Sequence, residues 1–287
     1  MPGILFFIIF CYVPMFGIIM AFQNYTGAKG FLHSPWVGMG QFVKFFSSLN
    51  AWPIIRNTLL LNIYGLIWGF PIPIIFAVAL CEVRNLFVRK FIQTASYLPY
   101  FISTVISVGL LYMFVNVNNG LINNVIAGFG GEKINFLITP KYFRTMYIIL
   151  GIWRGFGWTA IIYMAAILGI DPQLYESAAM DGAKKLRQIW SITIPCISGT
   201  IIVMLLLNIG SMMSIGFEQV YLMYTPTTYA VSDVLSTFIY RVGILGQNGL
   251  PQYSYSTAVG LFQSVVNVIL LFSANTLSKR IAEKGLF

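Results

Sequence analysis

The chain has 287 residues, of which 58% are hydrophobic, 16% aromatic and only 9% charged. Soluble domains carry about 25% charged residues, so this composition excludes a soluble enzyme, a disordered chain, a collagen and a disulfide scaffold, and fits a polytopic membrane protein. The net charge is +9, and in such a chain a basic excess reports topology and contact with anionic lipid rather than nucleic acid.

Six stretches are long and apolar enough to cross a hydrocarbon layer of about 30 Å: 4–22, 57–81, 97–115, 146–170, 197–216 and 257–277. Lipid gives the backbone no hydrogen-bond partners, so each is expected to be helical. The expected fold class is an all-α membrane protein with six transmembrane helices in a single domain, 1–287. The first stretch lacks a basic n-region and a small-residue cleavage site, so it reads as a retained helix rather than a signal peptide. The abrupt opening Met1-Pro2-Gly3 leaves room for a basic segment ahead of it. Pro71 and Pro73 stand inside the second stretch, where a kink is expected.

Lysine and arginine set the orientation. Segments 82–96, 171–196 and 278–287 hold nine basic residues in 51 positions, Lys284 among them, against seven in 104 for 23–56, 116–145 and 217–256. The first set is therefore expected to be cytoplasmic. The outer segments carry many aromatic residues and should fold against the helix ends. Within 217–256, Tyr229 to Arg241 reads as a short surface helix, with Asp233 near its start and Gly243 past its end.

Segment 171–196 carries the strongest pattern. Asp171 and Pro172 suit the cap and first position of a short helix. Ala178, Ala179, Gly182 and Ala183 offer a small-residue surface to another protein, and Glu176 and Asp181 offer charge to a basic partner. Leu186, Ile189 and Trp190 form the apolar face of a second short helix, which Pro195 ends. A plain interfacial helix lying on lipid is the alternative.

The spacing resembles the EAA loop of binding-protein-dependent ABC importer permeases. Glu176-Ser177-Ala178 is followed by Asp181-Gly182, then nine residues, then Ile192-Thr193-Ile194-Pro195. Ser177 replaces the first alanine of that motif and Ile194 its leucine. Gly69-Phe70-Pro71-Ile72-Pro73, Glu82-Val83-Arg84, Tyr12-Val13-Pro14-Met15, Ser34-Pro35-Trp36-Val37-Gly38, Gln219-Val220-Tyr221 and Tyr240-Arg241-Val242-Gly243 extend the likeness to the LplB-type subfamily that serves complex polysaccharides and oligosaccharides. The resemblance implies a type I importer permease fold in a bacterial cell membrane, with 171–196 as a cytoplasmic coupling helix. It implies two ATP-binding subunits holding ATP and Mg, a second homologous permease in a heterodimer, and an extracellular sugar-binding lipoprotein. It implies that Glu176, Ser177, Ala178, Asp181, Gly182, Ile192 and Pro195 form the ATPase-coupling surface, with Glu176 pairing with a basic residue of the ATPase.

The rest of the sequence agrees by what it lacks. There is no GxxxxGK[ST] phosphate cradle, so any ATP motor is a separate chain and this one is no enzyme. There is no HExxH, CxxC or GxSxG, no metal site is expected, His33 is a lone histidine, and Cys11, Cys81 and Cys196 read as inert apolar residues. No carboxylate lies in the six stretches and no internal repeat is evident. Both facts speak against the competing class, an ion-coupled carrier; a non-transporting scaffold is the other alternative.

Arg154 is the one charge inside a stretch, about 12 Å below its outer end. An intramembrane charge marks a candidate site. With Trp153, Phe156 and Trp158 around it, Arg154 suits a sugar in the substrate path, above all one bearing carboxylates. The structural alternative is that it pairs with backbone carbonyls or with the partner permease.

Overall fold

The computed structural model describes residues 2–246 and 250–282, so Lys284 lies outside the described residues. In chain order, α1 spans Pro2–Phe22 and α2 Ala51–Cys81. Next, α3 (Leu86–Phe101) and α4 (Thr104–Val115) meet at an angle of 102°. After them α5 spans Pro140–Leu168, α6 is the short Pro172–Met180, and α7 spans Lys185–Gly210. Two short helices, α8 (Phe217–Met223) and α9 (Leu235–Leu245), precede α10, Tyr253–Ala282. Five of these are long and apolar enough to cross a membrane, and the bent α3–α4 pair makes a sixth if it is taken as one span.

Several expected boundaries move. The continuous span at 97–115 is instead broken at Ile102–Ser103, and its first half begins at Leu86. Pro99 removes a backbone donor near the end of α3. Ile102 is then extended, and Ser103 restarts the helix by accepting from the Ile106 amide at 3.3 Å. The second short helix expected around Leu186, Ile189 and Trp190 does not end at Pro195: it runs unbroken into the next span as α7. Because α2 and α5 begin earlier than 57 and 146, they also take in Arg56, Lys141 and Arg144, so Arg154 is not the only charge in a long helix.

Three prolines inside helices share one solution. Pro14, Pro71 and Pro195 each stand two residues past a π turn, at Ile8–Tyr12, Gly65–Gly69 and Ile189–Thr193. A proline ring clashes with the carbonyl four residues back and lacks an amide of its own. Widening the preceding turn moves that carbonyl aside, and the Val13 and Ile194 amides bond five residues back, to Ile8 and Ile189.

The core gathers around α5, which packs against α2, α3 and α7. One cluster joins Ala77 and Leu80 of α2, Ala160 and Tyr163 of α5, and Ile197 of α7. A second lies toward the other end of α5, around Phe143, Met146 and Leu150 with Leu61, Val108 and Val220. The tightest approach is at Gly157, where a Cβ would stand inside the contact shell of the Ser96 carbonyl oxygen on α3. By contrast α1 leaves Leu5, Phe10 and Phe16 exposed and packs on α10 through its last turns, around the buried Ala21.

Gly157→Ala is therefore expected to destabilise the chain by about 1–3 kcal/mol through overpacking. Gly151→Ala, on the same helix with open space at its Cβ position, should be near neutral. Thermal melting of the two purified variants in one detergent checks the contrast.

Candidate coupling helix and transmembrane groove

The segment 171–196 is built as a projecting helix and a tight reversal. Asp171 caps α6, its carboxylate accepting from the Gln173 amide at 2.9 Å, and Pro172 fills the first position. After α6, Gly182 adopts φ 78°. The Gly182 amide bonds the Ala179 carbonyl at 3.0 Å and the Ala183 amide reaches the Ala178 carbonyl at 2.9 Å. This pair of bonds is the Schellman stop, which needs a left-handed residue at its turn. Glycine adopts that conformation without penalty, whereas an L side chain costs about 1–2 kcal/mol.

No residue of α6 is buried. Glu176, Ser177 and Asp181 are exposed and Ala178 half-buried. Met180 at the end of α6 and Trp190 near the start of α7 show 85% and 71% of their surface, a large apolar area left uncovered on either side of the turn. Three polar contacts tie this exposed piece down. Tyr175 Oη and Thr193 Oγ1 are 3.0 Å apart, Gln188 Nε2 donates to the Ala183 carbonyl at 3.1 Å, and Lys185 Nζ pairs with Glu82 at 3.0 Å. The last contact, unforeseen from sequence, joins the α2–α3 connection to the start of α7. Ile192 lies in the π turn of α7 and Pro195 two residues past it, on either side of the buried Thr193.

The residues singled out around Arg154 separate in space. Arg154 stands fourteen residues into α5, about 21 Å along it. Its Nη2 donates to the Ile102 carbonyl at 3.3 Å, at the break between α3 and α4. Trp158 stacks on Tyr100, ring centroids 4.8 Å apart and planes at 7°. Trp153 is exposed. Phe156, packed edge-on against Phe76, is the member of the four that lines a groove.

That groove, about 280 Å³, lies between α2, α5 and α7, and a second hollow of about 210 Å³ continues it through shared Gly65, Tyr147 and Asn208. Glycines thin its walls at Gly65, Gly69, Gly151 and Gly155. Its polar groups are Asn62, Thr159, Asn208, Ser211 and Gln219, and no charged side chain lines either part among the described residues. Asn62 and Asn208 spend amide hydrogens on their own helices, at the Thr58 and Met204 carbonyls, both 2.8 Å away. Sequence reasoning missed these residues, because isolated asparagines in apolar runs carry no spacing signal.

The region 217–256 is not a plain outer loop. Gln219 Nε2 on α8 donates to the Tyr147 carbonyl at 2.9 Å, and Tyr147 is seven residues, about 10 Å, into α5. Glu218 accepts from Thr104 Oγ1 at 2.6 Å, just past the α3–α4 break. So α8 packs on the bundle through Gln219 and sets the Glu218 carboxylate beside the α3–α4 break.

The expected surface helix at Tyr229–Arg241 is also corrected. Asp233 interrupts it, and α9 then runs on to Gly246, at φ 79°, with Leu235, Thr237 and Phe238 buried. Gly243 does not end it but lets α9 press against Ser256 of α10. Asp233 grips Arg241 with both carboxylate oxygens. Burial works against the guanidinium charge, yet this pairing raises the Arg241 pKa above its ordinary value. Asn57 holds the whole unit to α2, donating to the Ala230 and Asp233 carbonyls at 3.1 and 3.2 Å.

Likeness to known proteins decides the family. Residues 69–283 match the family described as "Binding-protein-dependent transport system inner membrane component". The chain belongs to that family, as a permease component of an ABC system in a bacterial inner membrane. The polygalacturonan/rhamnogalacturonan transport system permease protein YteP of Bacillus subtilis is 46% identical over 287 residues, all of this chain and 88% of that one. Protein LplB of the same organism is 44% identical over 286 residues, covering 100% of this chain and 89% of its own. A crystal structure of a bacterial ABC transporter that imports the acidic polysaccharide alginate superposes with TM-score 0.90 at 42% identity, over 98% of this chain and 94% of that one. The same likeness, TM-score 0.90 at 41% identity over 99% of this chain and 94% of that one, holds for the alginate transporter bound to its pentasaccharide-loaded periplasmic protein.

Arg154→Met should leave the Ile102 carbonyl without its donor and cost about 1–3 kcal/mol. Because Arg154 lies off the groove, the melting temperature is expected to fall while sugar preference stays unchanged. Melting curves and uptake of a sugar panel by the same variant check both halves.

Proposed function

We propose that this chain is one of two permeases in an ATP-driven importer that takes up a complex carbohydrate or oligosaccharide handed over by an extracellular binding protein. The observation that carries it is α6: a helix with no buried residue, stopped at Gly182, in a chain of this family. Two ATP-binding subunits, holding ATP and Mg, would each seat one such helix, with Glu176 paired to a basic residue and Ser177, Ala178, Asp181 and Gly182 allowing close approach. Ile192 and Pro195 would pass the motion into α7 through its π turn. In this reading α6 and the carboxyl end face the cytoplasm. The second permease would be a related chain, and the binding protein a lipoprotein docking at the opposite end. The names of the relatives support a carbohydrate substrate.

The substrate path would run along the groove of Phe156, Asn208 and Gln219, completed by the partner permease, with Arg154 bracing the α3–α4 break and Trp153 and Trp158 packing outside it. Closure of the ATPases would move α6 and turn the bundle outward; hydrolysis would return it inward.

Gly182→Val should strain the turn and release the ATPase, while Gly182→Asn, which tolerates φ > 0 better, should keep most of it. Glu176→Ala should lower sugar-stimulated ATP hydrolysis about tenfold, the loss of a charged hydrogen bond of ~1.5 kcal/mol. Co-purification and ATPase assays of the reconstituted complex read both. Normal coupling in Gly182→Val and Glu176→Ala would remove α6 from the mechanism.

In the groove, Asn208→Leu and Gln219→Leu should each reduce uptake several-fold with the ATPase still bound. Uptake at wild-type rate in both would place the path elsewhere.

A further inference from the structure

Arg144 belongs neither to the coupling segment nor to the groove, and among the described residues no carboxylate pairs with it. Its Nη2 donates to the neutral amide oxygen of Asn57 at 3.0 Å and its buried Nε has no hydrogen-bond partner. The ion pairs among the described residues involve other cations, Lys185 and Arg241. Arg144 stands four residues into α5, about 6 Å from the start of that helix. It lines one end of a crevice of about 360 Å³ between α2 and α5.

The chemistry changes in order along this crevice. Beside Arg144 is the hydroxyl of Thr145; farther along are Tyr64, Trp68 and Ile72 of α2 and Ile149 and Ile152 of α5. Ile152 lies eight residues beyond Arg144, about 12 Å deeper. Trp68 and Ile149 show 64% and 59% of their surface, so the crevice opens on the apolar outside of the bundle. Neither Asn208 nor Gln219, the polar wall of the groove, takes part in it.

We propose that this crevice binds one anionic phospholipid of the leaflet at the end away from α6, its phosphate on Arg144 and an acyl chain along Trp68, Ile149 and Ile152. Charge complementarity carries the assignment: a guanidinium in an apolar surface draws a phosphate at headgroup depth. A zwitterionic lipid leaves the net charge in place, and a free phosphate leaves the apolar walls uncovered. This inference does not rest on the identity of the transported sugar or on the coupling role of α6.

The test is native mass spectrometry of the intact importer released from bilayers of phosphatidylglycerol and phosphatidylcholine in equal amounts. Wild type should retain phosphatidylglycerol in preference. Arg144→Gln should lower that retention about fivefold and Arg144→Lys should keep it. Ile149→Trp, which fills the crevice without touching Asn57, should lower it as Arg144→Gln does, so a folding defect at Asn57 cannot account for the loss. Monodisperse elution of every variant is required. Wild-type retention in both Arg144→Gln and Ile149→Trp overturns the proposal. So does displacement of the retained lipid by inorganic phosphate alone, which would make the site one for free anions. A disulfide between Ile149→Cys and the partner permease also overturns it, because protein would then fill the crevice.

Discussion

A hydrocarbon surround gives the backbone nothing to bond with, so every departure from helix inside this bundle must find its partner in the protein. The break at Ile102–Ser103 is the severest case. The Ile102 carbonyl accepts from Arg154, the Ser103 hydroxyl accepts from the Ile106 amide, and Thr104 donates to Glu218. Those partners come from α5 and α8, so the bend in one span fixes the placement of two other helices. Gly157 completes the arrangement by letting the α3 backbone lie directly on α5. The charges at the break follow from the same requirement: Arg154 and Glu218 are where they are because a broken helix has carbonyls and hydroxyls to satisfy.

The same requirement explains what could and could not be read from the sequence. Apolar length marks α1, α2, α5, α7 and α10, because each satisfies its own backbone and needs no information from elsewhere. It fails at 97–115, where composition is apolar throughout but Pro99 and Ser103 divide the run in two. It fails again at 217–223, where Glu218 and Gln219 make a segment look solvent-facing although their partners, Thr104 and the Tyr147 carbonyl, lie in the bundle. Boundaries drawn at 57 and 146 left Arg56, Lys141 and Arg144 outside the helices, since hydropathy penalises a charge that a helix end can hold near the headgroups. The turn at Gly182, in contrast, was legible to the residue. Its spacing encodes a local stereochemical need, a left-handed position four residues after Ala178, that no distant contact can alter.

The two ends of the bundle treat polar groups in opposite ways. Away from α6, Asn57, Thr58, Asp233, Thr237 and Arg241 close on one another, and α9 is held on several sides. At the α6 end the polar ties are few and partly exposed, the Lys185–Glu82 pair having 62% and 39% of its side-chain surfaces in the open. An exposed pair of this kind contributes about 0–1 kcal/mol. A helix held so lightly, with Met180 uncovered at its end and Trp190 uncovered just beyond the turn, gains more from a second protein than from its own bundle. The stiffness therefore sits where α9 is anchored, and the freedom to move sits at α6.

In the proposed importer, the groove limits what kind of selection this half of the path can perform. Arg154, the group best suited to a sugar carboxylate, is turned to a carbonyl outside it, and Asn62, Thr159, Asn208, Ser211 and Gln219 are neutral. Neutral amides and hydroxyls meet sugar hydroxyls well, and their partners are interchangeable between one hexose and the next. They do not tell a uronate from its neutral counterpart by charge. In the proposed importer, that discrimination falls to surfaces this groove does not include: the binding protein that presents the sugar, or the facing half contributed by the partner. A path lined this way suits a long, variable chain of sugars, because each residue that slides past exchanges one hydroxyl contact for another without crossing a deep electrostatic well.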